Sequence, residues 1–241
     1  MNIFDFEIID SLPALYHEGL DMVVISDLHL GLEAAVSYDG NYVPQFQLEE
    51  IKQDVHKLKE ETGASRILVN GDLKHEFKYN RFSEEKEIRE FFELLDELFE
   101  QVIVIKGNHD TFIEDFIGNA VLKEDLCEKN VLFTHGHKEI NPEIEYETLV
   151  IGHEHPALEL EDEIGVTEKV DCFLYGKTDE DKEIIVLPAF SKMAGGSAVN
   201  RMPVKDLLSP VLRNEVAVSN LKAIAVDKEA GLFDFPEIKK I

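Results

Sequence analysis

The stretch Met22–His29 reads MVVISDLH, in which four apolar residues lead directly into a polar run that contains Asp27. Four later stretches share this form, a short apolar run rich in Val and Ile followed by Asp, Asn, His and Gly residues. Each apolar run is too short for a helix and predicts a buried strand. The five predicted strands are Met22–Ile25, Ile67–Val69, Val102–Ile105, Val131–Phe133 and Leu149–Ile151.

Amphipathic patterns with a helical period separate the first three predicted strands. Within Phe46–Glu61, Ile51 and Val55 fall on one face, and Ser83–Phe99 carries a second apolar face with Ser83 as its predicted N-cap. Strands that alternate with helices predict an α/β fold with parallel strand pairs.

The last third of the chain has a different pattern, in which strand-like runs are joined by turns. The predicted strands are Lys169–Tyr175, Glu183–Phe190 and Leu221–Phe235, the last of which would turn at a hairpin tip formed by residues 229–231. We expect these strands to form a second sheet that packs on the first.

The composition is that of an ordinary globular chain, with 44% hydrophobic and 31% charged residues, and we expect one domain over residues 1–241. It excludes a disordered tail protein, a collagen and a coiled coil. The longest apolar run, Ile184–Phe190, is far shorter than the roughly 20 residues that a membrane span needs. The N-terminus carries Asp5 and Glu7 and does not have the pattern of a signal peptide.

The net charge of −26 argues against binding of nucleic acid by the surface as a whole, because most of that surface would repel a phosphate backbone. Bound divalent cations could supply local positive charge. The simpler interpretation of the acids as a set is a solvated coat that keeps the protein in solution.

The two cysteines, Cys127 and Cys172, have no CxxC spacing and form no cluster. We expect both to be reduced, buried thiols. Such cysteine usage is typical of a cytoplasmic protein.

Polar segments follow all five strands of the first set at the point where each strand ends. They span residues 26–29, 70–75, 107–110, 134–137 and 152–155, and they contain seven of the nine histidines. In an open α/β sheet the carboxyl ends of the strands lie along one edge, where ligands bind, so we expect these segments to meet. Asp27 and His29 are two residues apart, as are His153 and His155, and side chains at this spacing point the same way in extended chain.

The side chains that would meet are carboxylates, an amide and imidazoles, without a thiolate. This set suits Mn, Fe, Zn, Co or Ni rather than a structural zinc held by cysteines. The ligands are too many for one ion, and a carboxylate can bridge two ions about 3.5–4 Å apart. The sequence therefore predicts two divalent transition-metal ions, with Mn as the first choice, that clamp the attacking and leaving oxygens of a phosphoryl transfer.

The ordered series D-x-H, G-D, G-N-H-D, H-G-H and G-H-x-H resembles the signature of the calcineurin-like metallophosphoesterases. The resemblance implies an α/β fold built as a two-sheet β-sandwich flanked by helices. It implies that one ion is held by Asp27, His29, Asp72 and His155. It also implies that Asp72 bridges to a second ion, whose remaining ligands are Asn108, His135 and His153.

The same resemblance assigns catalytic roles to two neighbouring residues. His109 matches the family's catalytic histidine, which contacts the phosphate and helps the leaving group depart as a general acid. Asp110 would orient the imidazole of His109, as carboxylates commonly do.

The residues around the motifs are similar to those of one branch of the superfamily. Residues 71–75 resemble the SbcD-type repair nucleases, in which the histidine equivalent to His75 steers DNA. Residues 15–16, 27–31 and 187–191 resemble an SbcD-related archaeal phosphoesterase group. The residues after His155 are mostly needed to complete the second sheet, so we expect neither a long duplex-handling cap nor an ATPase partner.

Three residues near the motifs are predicted to contact the substrate: His75, His137 and Lys74. His75 could instead be a helix-start or surface residue, and His137 could form a hydrogen bond within its own loop. Lys74 belongs to a basic cluster with Lys78 and Arg81 that could guide a phosphodiester backbone, or could simply be paired with nearby acids.

Glu154 lies between two predicted ligands and is expected to point away from them into solvent.

The sequence predicts a dinuclear metal-dependent phosphoesterase that hydrolyses phosphodiesters, with DNA or RNA as the leading substrate class. A small-molecule nucleotide phosphodiesterase is the alternative, favoured by the net charge and the absence of a cap. A non-catalytic scaffold with the same fold is a third hypothesis, and such a protein would be expected to lack some of the ligands.

Overall fold

Two stacked β-sheets form the centre of the computed structural model, which describes residues 1–38, 44–76, 82–162 and 164–241. The strands of the first sheet are β1 (Asn2–Ile3), β2 (Phe6–Ile8), β3 (Leu15–His17), β4 (Met22–Ile25), β5 (Arg66–Asn70), β6 (Gln101–Ile105) and β7 (Val121–Lys123). The strands of the second sheet are β8 (Asp125–Glu128), β9 (Val131–Thr134), β10 (Thr148–Ile151), β11 (Pro156–Glu161), β12 (Thr167–Lys177), β13 (Glu183–Val186), β14 (Ser197–Ala198), β15 (Lys222–Asp227) and β16 (Gly231–Glu237).

Four α-helices in the described residues accompany the sheets. They are α1 (Leu32–Tyr38), α2 (Gln47–Thr62), α3 (Phe82–Leu98) and α4 (Pro210–Asn214). Short 3₁₀ turns cover Glu18–Leu20, Val204–Asp206, Val218–Asn220 and Ile238–Lys240. None of the helices in these ranges combines the length with the apolar composition that crossing a bilayer requires.

The first sheet has its strands in chain order, β1 to β7, and the strands from β4 to β7 are parallel. The second sheet runs β14-β11-β12-β13-β10-β9-β8, with β15 paired to β12 and β16 to β15. Its central strand β10 is parallel to both β9 and β13. Each sheet therefore contributes parallel strands whose carboxyl ends can carry a site.

Alternate residues of the central strands face different cores. In β4, Val23 and Ile25 pack with the apolar faces of α2 and α3, whereas Met22 and Val24 face the layer between the sheets. In β10, Val150 faces that same layer and Leu149 packs outward. Because both faces are buried, these strands are apolar without alternation, which is what made them recognisable.

All five strands predicted from the first set of apolar runs are present, but they do not share one sheet. β4, β5 and β6 belong to the first sheet, whereas β9 and β10 belong to the second. The expectation that the second sheet comes only from the last third of the chain was therefore wrong. The apolar runs look alike in both sheets because each strand is buried on both faces.

The predicted helices are present with shifted ends. The second helix begins at Gln47, and the third begins at Phe82, so Ser83 lies inside the first turn of α3 rather than at its N-cap. The C-terminal hairpin is confirmed, since β16 pairs with β15 and starts at Gly231, whose φ is 106°. Cys172 is buried as expected, but Cys127 is exposed.

Candidate metal centre

The carboxyl ends of strands from both sheets meet at one edge of the sandwich, and Asn70 joins them. This residue ends β5 in the first sheet. Its side-chain Nδ2 donates to the carbonyl of Thr134 at 3.0 Å and to that of Val150 at 3.4 Å, both in the second sheet. The polar segments predicted from the sequence are therefore gathered across the two sheets.

The first group of potential ligands consists of Asp27, His29 and His155. Nε2 of His155 lies 2.9 Å from Oδ1 of Asp27 and 3.3 Å from Nε2 of His29. All three residues have φ between 46° and 57°, a backbone conformation that non-glycine residues adopt only where the surroundings enforce it. The tight loops thus direct three ligand atoms to one point.

The second group consists of Asp72, His135 and His153. Nε2 of His135 lies 3.2 Å from Oδ2 of Asp72 and 3.9 Å from Oδ1 of Asp27, so the two groups adjoin. The carbonyl of Asn70 accepts a hydrogen bond from Nδ1 of His135 at 2.9 Å. That bond keeps a proton on Nδ1, so the neutral form of His135 presents the lone pair of Nε2 to the group.

Several side-chain atoms at this edge are buried without hydrogen-bond partners among the described residues. Those of the predicted ligands are Nδ1 of His29, Oδ1 of Asn108 and Nε2 of His135. Buried polar atoms are normally paired, so such atoms beside two carboxylates indicate a bound cation. The donor set of carboxylate, amide and imidazole fits a divalent transition metal.

The carboxylates of the site are held as anions. Burial alone would raise the pKa of Asp27, but the charges of His155 and His135 bring it below its ordinary value. Burial likewise opposes ionisation of Asp72, and His135 and His109 lower its pKa well below the usual range. Ionised carboxylates are the form that binds metal ions.

The imidazoles divide into two classes. Burial lowers the pKa of His29 and of His153 to about 4 each, so both are neutral ligands at physiological pH. Burial also disfavours the charged form of His135, but Asp72 and Asp27 outweigh it and raise its pKa to about 9. Without a metal ion, the proton on His135 supplies the positive charge that a metal cation would supply at this position.

His109 lies over the first ligand group and is held by its neighbours. The carbonyl of His75 accepts from its Nδ1 at 2.5 Å, and its backbone N–H donates to Oδ1 of Asp72 at 2.9 Å. Its ring centroid lies 5.0 Å from that of His29, and it stacks on the ring of His75 at 5.8 Å. His29, His75 and His109 also bring their nitrogens within 4.8 Å of one another.

Asp110 is fully buried and hydrogen-bonds to the backbone rather than to the imidazole of His109. Its Oδ1 accepts from the N–H groups of Leu73 and Lys74 at 2.9 and 3.3 Å, and its Oδ2 accepts from that of Gly107 at 2.8 Å. Burial, followed by the charge of Asp72, raises the pKa of Asp110 to about 6. This differs from the expectation that Asp110 orients His109 directly, and the acceptor for His109 is the carbonyl of His75.

Lys74 is fully buried. Its Nζ donates to the carbonyl of Glu76 at 2.5 Å, and burial lowers the pKa of its ammonium group. The prediction that Lys74 contacts substrate remains a prediction, and in the structure its side chain is buried against the backbone of Glu76. Lys78 and Arg81 lie outside the described residues.

His137 borders the second ligand group. Its ring lies 5.3 Å from that of His135 and 6.1 Å from that of His153. Its Nδ1 is buried without a hydrogen-bond partner in the described ranges, and burial lowers its pKa to about 4. The hydrogen bond within its own loop that was considered as an alternative is therefore not made at Nδ1.

Glu154 is buried, contrary to the expectation that it is solvated. Its Oε2 accepts from the backbone N–H of Ser209, just before α4, at 2.8 Å. Ser209 Oγ in turn donates to the carbonyl of Gly136 at 2.8 Å. Glu154 thus links the loop that carries His153 and His155 to the segment just before α4.

Three supporting residues were missed by the sequence analysis. Ser26 Oγ donates to Oδ2 of Asp27 at 2.7 Å, and Gln47 Nε2 donates to the carbonyls of Leu28 and His29 at 3.1 and 3.3 Å. Asn70, described above, was the residue with a visible signal, since it is a polar residue at the end of an apolar run. Gln47 had none, because its partners are backbone groups far away in sequence.

Glycines allow the site to close, and a Cβ at Gly107 would overlap Asp72. A Cβ at Gly71, whose φ is 90°, would overlap the ring of His135. A Cβ at Gly152 would overlap Oγ of Ser26 and the carboxylate of Asp27. Each glycine lets one ligand loop approach a ligand from another.

The model of the calcineurin-like phosphoesterase family matches residues 20–171. No curated protein matches the chain's sequence. In fold the chain is similar to the nuclease MPE of Pseudomonas putida, with a TM-score of 0.61, 14% identity, and coverage of 95% of this chain and 94% of that one. A second similar structure is Yfce, a phosphoesterase from E. coli, with a TM-score of 0.43, 20% identity, and coverage of 73% and 83%.

Proposed function

Because the chain belongs to the calcineurin-like phosphoesterase family, a family of phosphoester hydrolases that typically depends on divalent metals, we propose that it hydrolyses phosphodiester bonds with two such ions. One observation carries the proposal. Oδ1 of Asp27 lies 2.9 Å from Nε2 of His155, in one ligand group, and 3.9 Å from Nε2 of His135, in the other. Two groups of metal ligands thus share one edge of the fold, where a pair of cations can act on one phosphate.

We propose the ligands that the motifs imply. The first ion would be held by Asp27, His29, Asp72 and His155, and the second by Asp72, Asn108, His135 and His153. The absence of thiolates among them is compatible with Mn, Fe, Zn, Co or Ni, and we propose Mn as the first to test. When bound, the two ions would supply Lewis acidity toward the phosphate and lower the pKa of a coordinated water.

His109 is the proposed general acid. Its Nδ1 proton is held by the carbonyl of His75, so the ring cannot rotate without breaking that bond. With the ring oriented in this way, Nε2, which lies 3.8 Å from Oδ2 of Asp72, can deliver a proton to the leaving alkoxide. Asp110 acts indirectly. It accepts hydrogen bonds from the backbone of the loops that carry Asp72 and His109.

Nucleic acid is the leading substrate class in this proposal. His75 stacks on His109 and is therefore next to the scissile bond, as a residue that steers a polynucleotide should be. The net charge of −26 favours the alternative, a small nucleotide diester, since such a substrate carries little charge to be repelled. We also propose a cytoplasmic location, on the basis of the unpaired Cys127 and Cys172.

The test is hydrolysis by the Mn-loaded protein of bis-p-nitrophenyl phosphate and of labelled single- and double-stranded DNA and RNA, at several salt concentrations. His109→Gln should reduce the rate about 10²- to 10⁴-fold while two metal ions per chain are retained. The matched control is His56→Gln, because His56 is exposed on α2.

The outcomes separate the hypotheses. Cleavage of both the diester and a polynucleotide, lost in His109→Gln, supports a nuclease. Cleavage of the diester alone supports a small-nucleotide phosphodiesterase. Failure to cut anything with any of the five metals would refute the catalytic proposal and favour a scaffold.

A further inference from the structure

A cavity of about 180 Å³ lies beside the loop that carries Asp27 and His29. Its walls include the side chain of Gln47 and that of Phe190. Gln47 Nε2 donates to the carbonyl of His29 at 3.3 Å, and the backbone N–H of Phe190 donates to that of Ser26 at 2.8 Å. Two residues that line the cavity therefore hold the backbone of the loop that carries the first ligand group.

The lining of the cavity combines apolar surfaces with a charged rim. Ile51 and Phe190 are buried and form its floor, whereas Phe46 is 51% exposed. Lys192 and Glu50 lie on the rim, with Nζ 3.4 Å from Oε2. An open aromatic ring over an apolar floor favours a flat aromatic group, and the charged rim can bind polar atoms on its edge.

Phe46 is fixed in place by its backbone. Its N–H donates to Oε1 of Glu33 at 3.1 Å, and the N–H of Gln47 donates to the same oxygen at 3.0 Å. Glu33 is itself buried. The exposed ring thus belongs to a residue whose backbone is already ordered, which reduces the entropy lost when a ligand stacks on it.

A second cavity, of about 270 Å³, adjoins the first and shares Asp54, Phe190 and Lys192 with it. Four carboxylates line it, and one of them, Asp54, is paired with Lys228. These carboxylates are Asp54, Asp171, Asp227 and Glu229. A phosphate that continued from the first cavity into the second would therefore be repelled.

We propose that the first cavity binds the base of a single nucleoside whose phosphodiester lies at the ligand groups. This inference rests on the proposed function and narrows it, because it makes the substrate a small nucleoside diester or the terminal nucleotide of a strand. The occupant is a nucleobase stacked on Phe46, since the floor is apolar and the space beyond it is acidic.

The first test uses the absence of tryptophan from the chain. Phe46→Trp introduces a single fluorophore at the cavity, and the uncharged nucleosides thymidine and adenosine should quench it saturably, without added metal. Ribose should not. Phe233→Trp is the matched control, because Phe233 is 48% exposed on β16. Equal quenching in the two variants, or none in Phe46→Trp, would overturn the proposal.

The second test compares two substrates with the same leaving group, thymidine 5′-p-nitrophenyl phosphate and ethyl p-nitrophenyl phosphate. The wild-type protein should prefer the nucleoside by kcat/KM, and Phe46→Ala should reduce that preference about tenfold, chiefly through KM. Phe46→Tyr should retain it, and Phe233→Ala should leave both rates unchanged. If the wild type cuts both diesters without preference, this inference alone fails, whereas failure to cut either one counts against the proposed function.

Discussion

Replacing Asp110 with alanine tests whether a buried carboxylate holds the catalytic loops. Three backbone N–H groups, those of Leu73, Lys74 and Gly107, would lose their acceptor. Each loss should cost about 2 kcal/mol, or about 6 kcal/mol together. The pKa of Asp110 is raised from 3.8 to about 6, so keeping its carboxylate ionised in the folded protein costs about 3 kcal/mol at neutral pH. The alanine variant has no carboxylate and does not incur this cost.

The net destabilisation at neutral pH is therefore about 3 kcal/mol, which lowers the melting temperature by about 6–12 °C. The folded-state pKa of Asp110 lies above its unfolded value. The group therefore contributes stability that is fully present below pH 3.8 and is lost as the pH rises through about 6. The variant lacks this contribution, so its deficit relative to wild type should widen by about 1.4 kcal/mol between pH 8 and pH 5.

Urea unfolding of the two proteins, followed by circular dichroism at pH 5 to 8, measures this difference. The control is Asp115→Ala, since Asp115 is an exposed carboxylate close by in the sequence, and its change should stay within about 0.5 kcal/mol at every pH. A deficit that does not change with pH, or a variant of Asp110 as stable as the wild type, would refute the reasoning.

Two further predictions concern the ligand groups. Metal binding at pH 7 should release at least one proton, because His135 has a pKa of about 9 and must be neutral to bind, and Asp27 raises the pKa of His155 as well. The affinity should therefore rise with pH, and titration calorimetry in buffers of different ionisation enthalpy would contradict this if the heats agree. Gly71→Ala should lose the second ion as measured by elemental analysis, because the new Cβ overlaps the ring of His135, whereas Gly63→Ala, at a φ of 65° with open space around it, should keep both ions.

The parts of the fold that the sequence predicted are those in which the cause is local. Each of β4, β5, β6, β9 and β10 is an apolar run that ends in a polar loop, and a strand buried on both faces requires that pattern. The predicted ligand side chains meet at the carboxyl ends of these strands for the same reason. The assignment of β9 and β10 to the second sheet was not predictable, because strands of both sheets have the same composition.

The residues that were predicted incorrectly depend on contacts with distant backbone groups. Glu154 is buried because it accepts from Ser209, and Asp110 turns away from His109 because it accepts from Leu73 and Gly107. A backbone N–H is present at nearly every position, so such a partner leaves no residue pattern to find. The burial of Lys74 was not predictable for a similar reason, since its partner is the carbonyl of Glu76.

The position of Asn70 between the two sheets has a mechanical consequence. The ligands come from both sheets, so a cation bound to Asp27 and His155 would act as a staple between the two halves of the sandwich. The distance between ligands of the two sheets depends on the thickness of the apolar layer between them, in which Phe133 and Phe173 are fully buried. A Phe→Leu substitution in that layer should therefore weaken metal binding without touching a ligand. Bound metal should in turn stabilise the folded protein against thermal unfolding, by an amount that rises with the logarithm of the metal concentration.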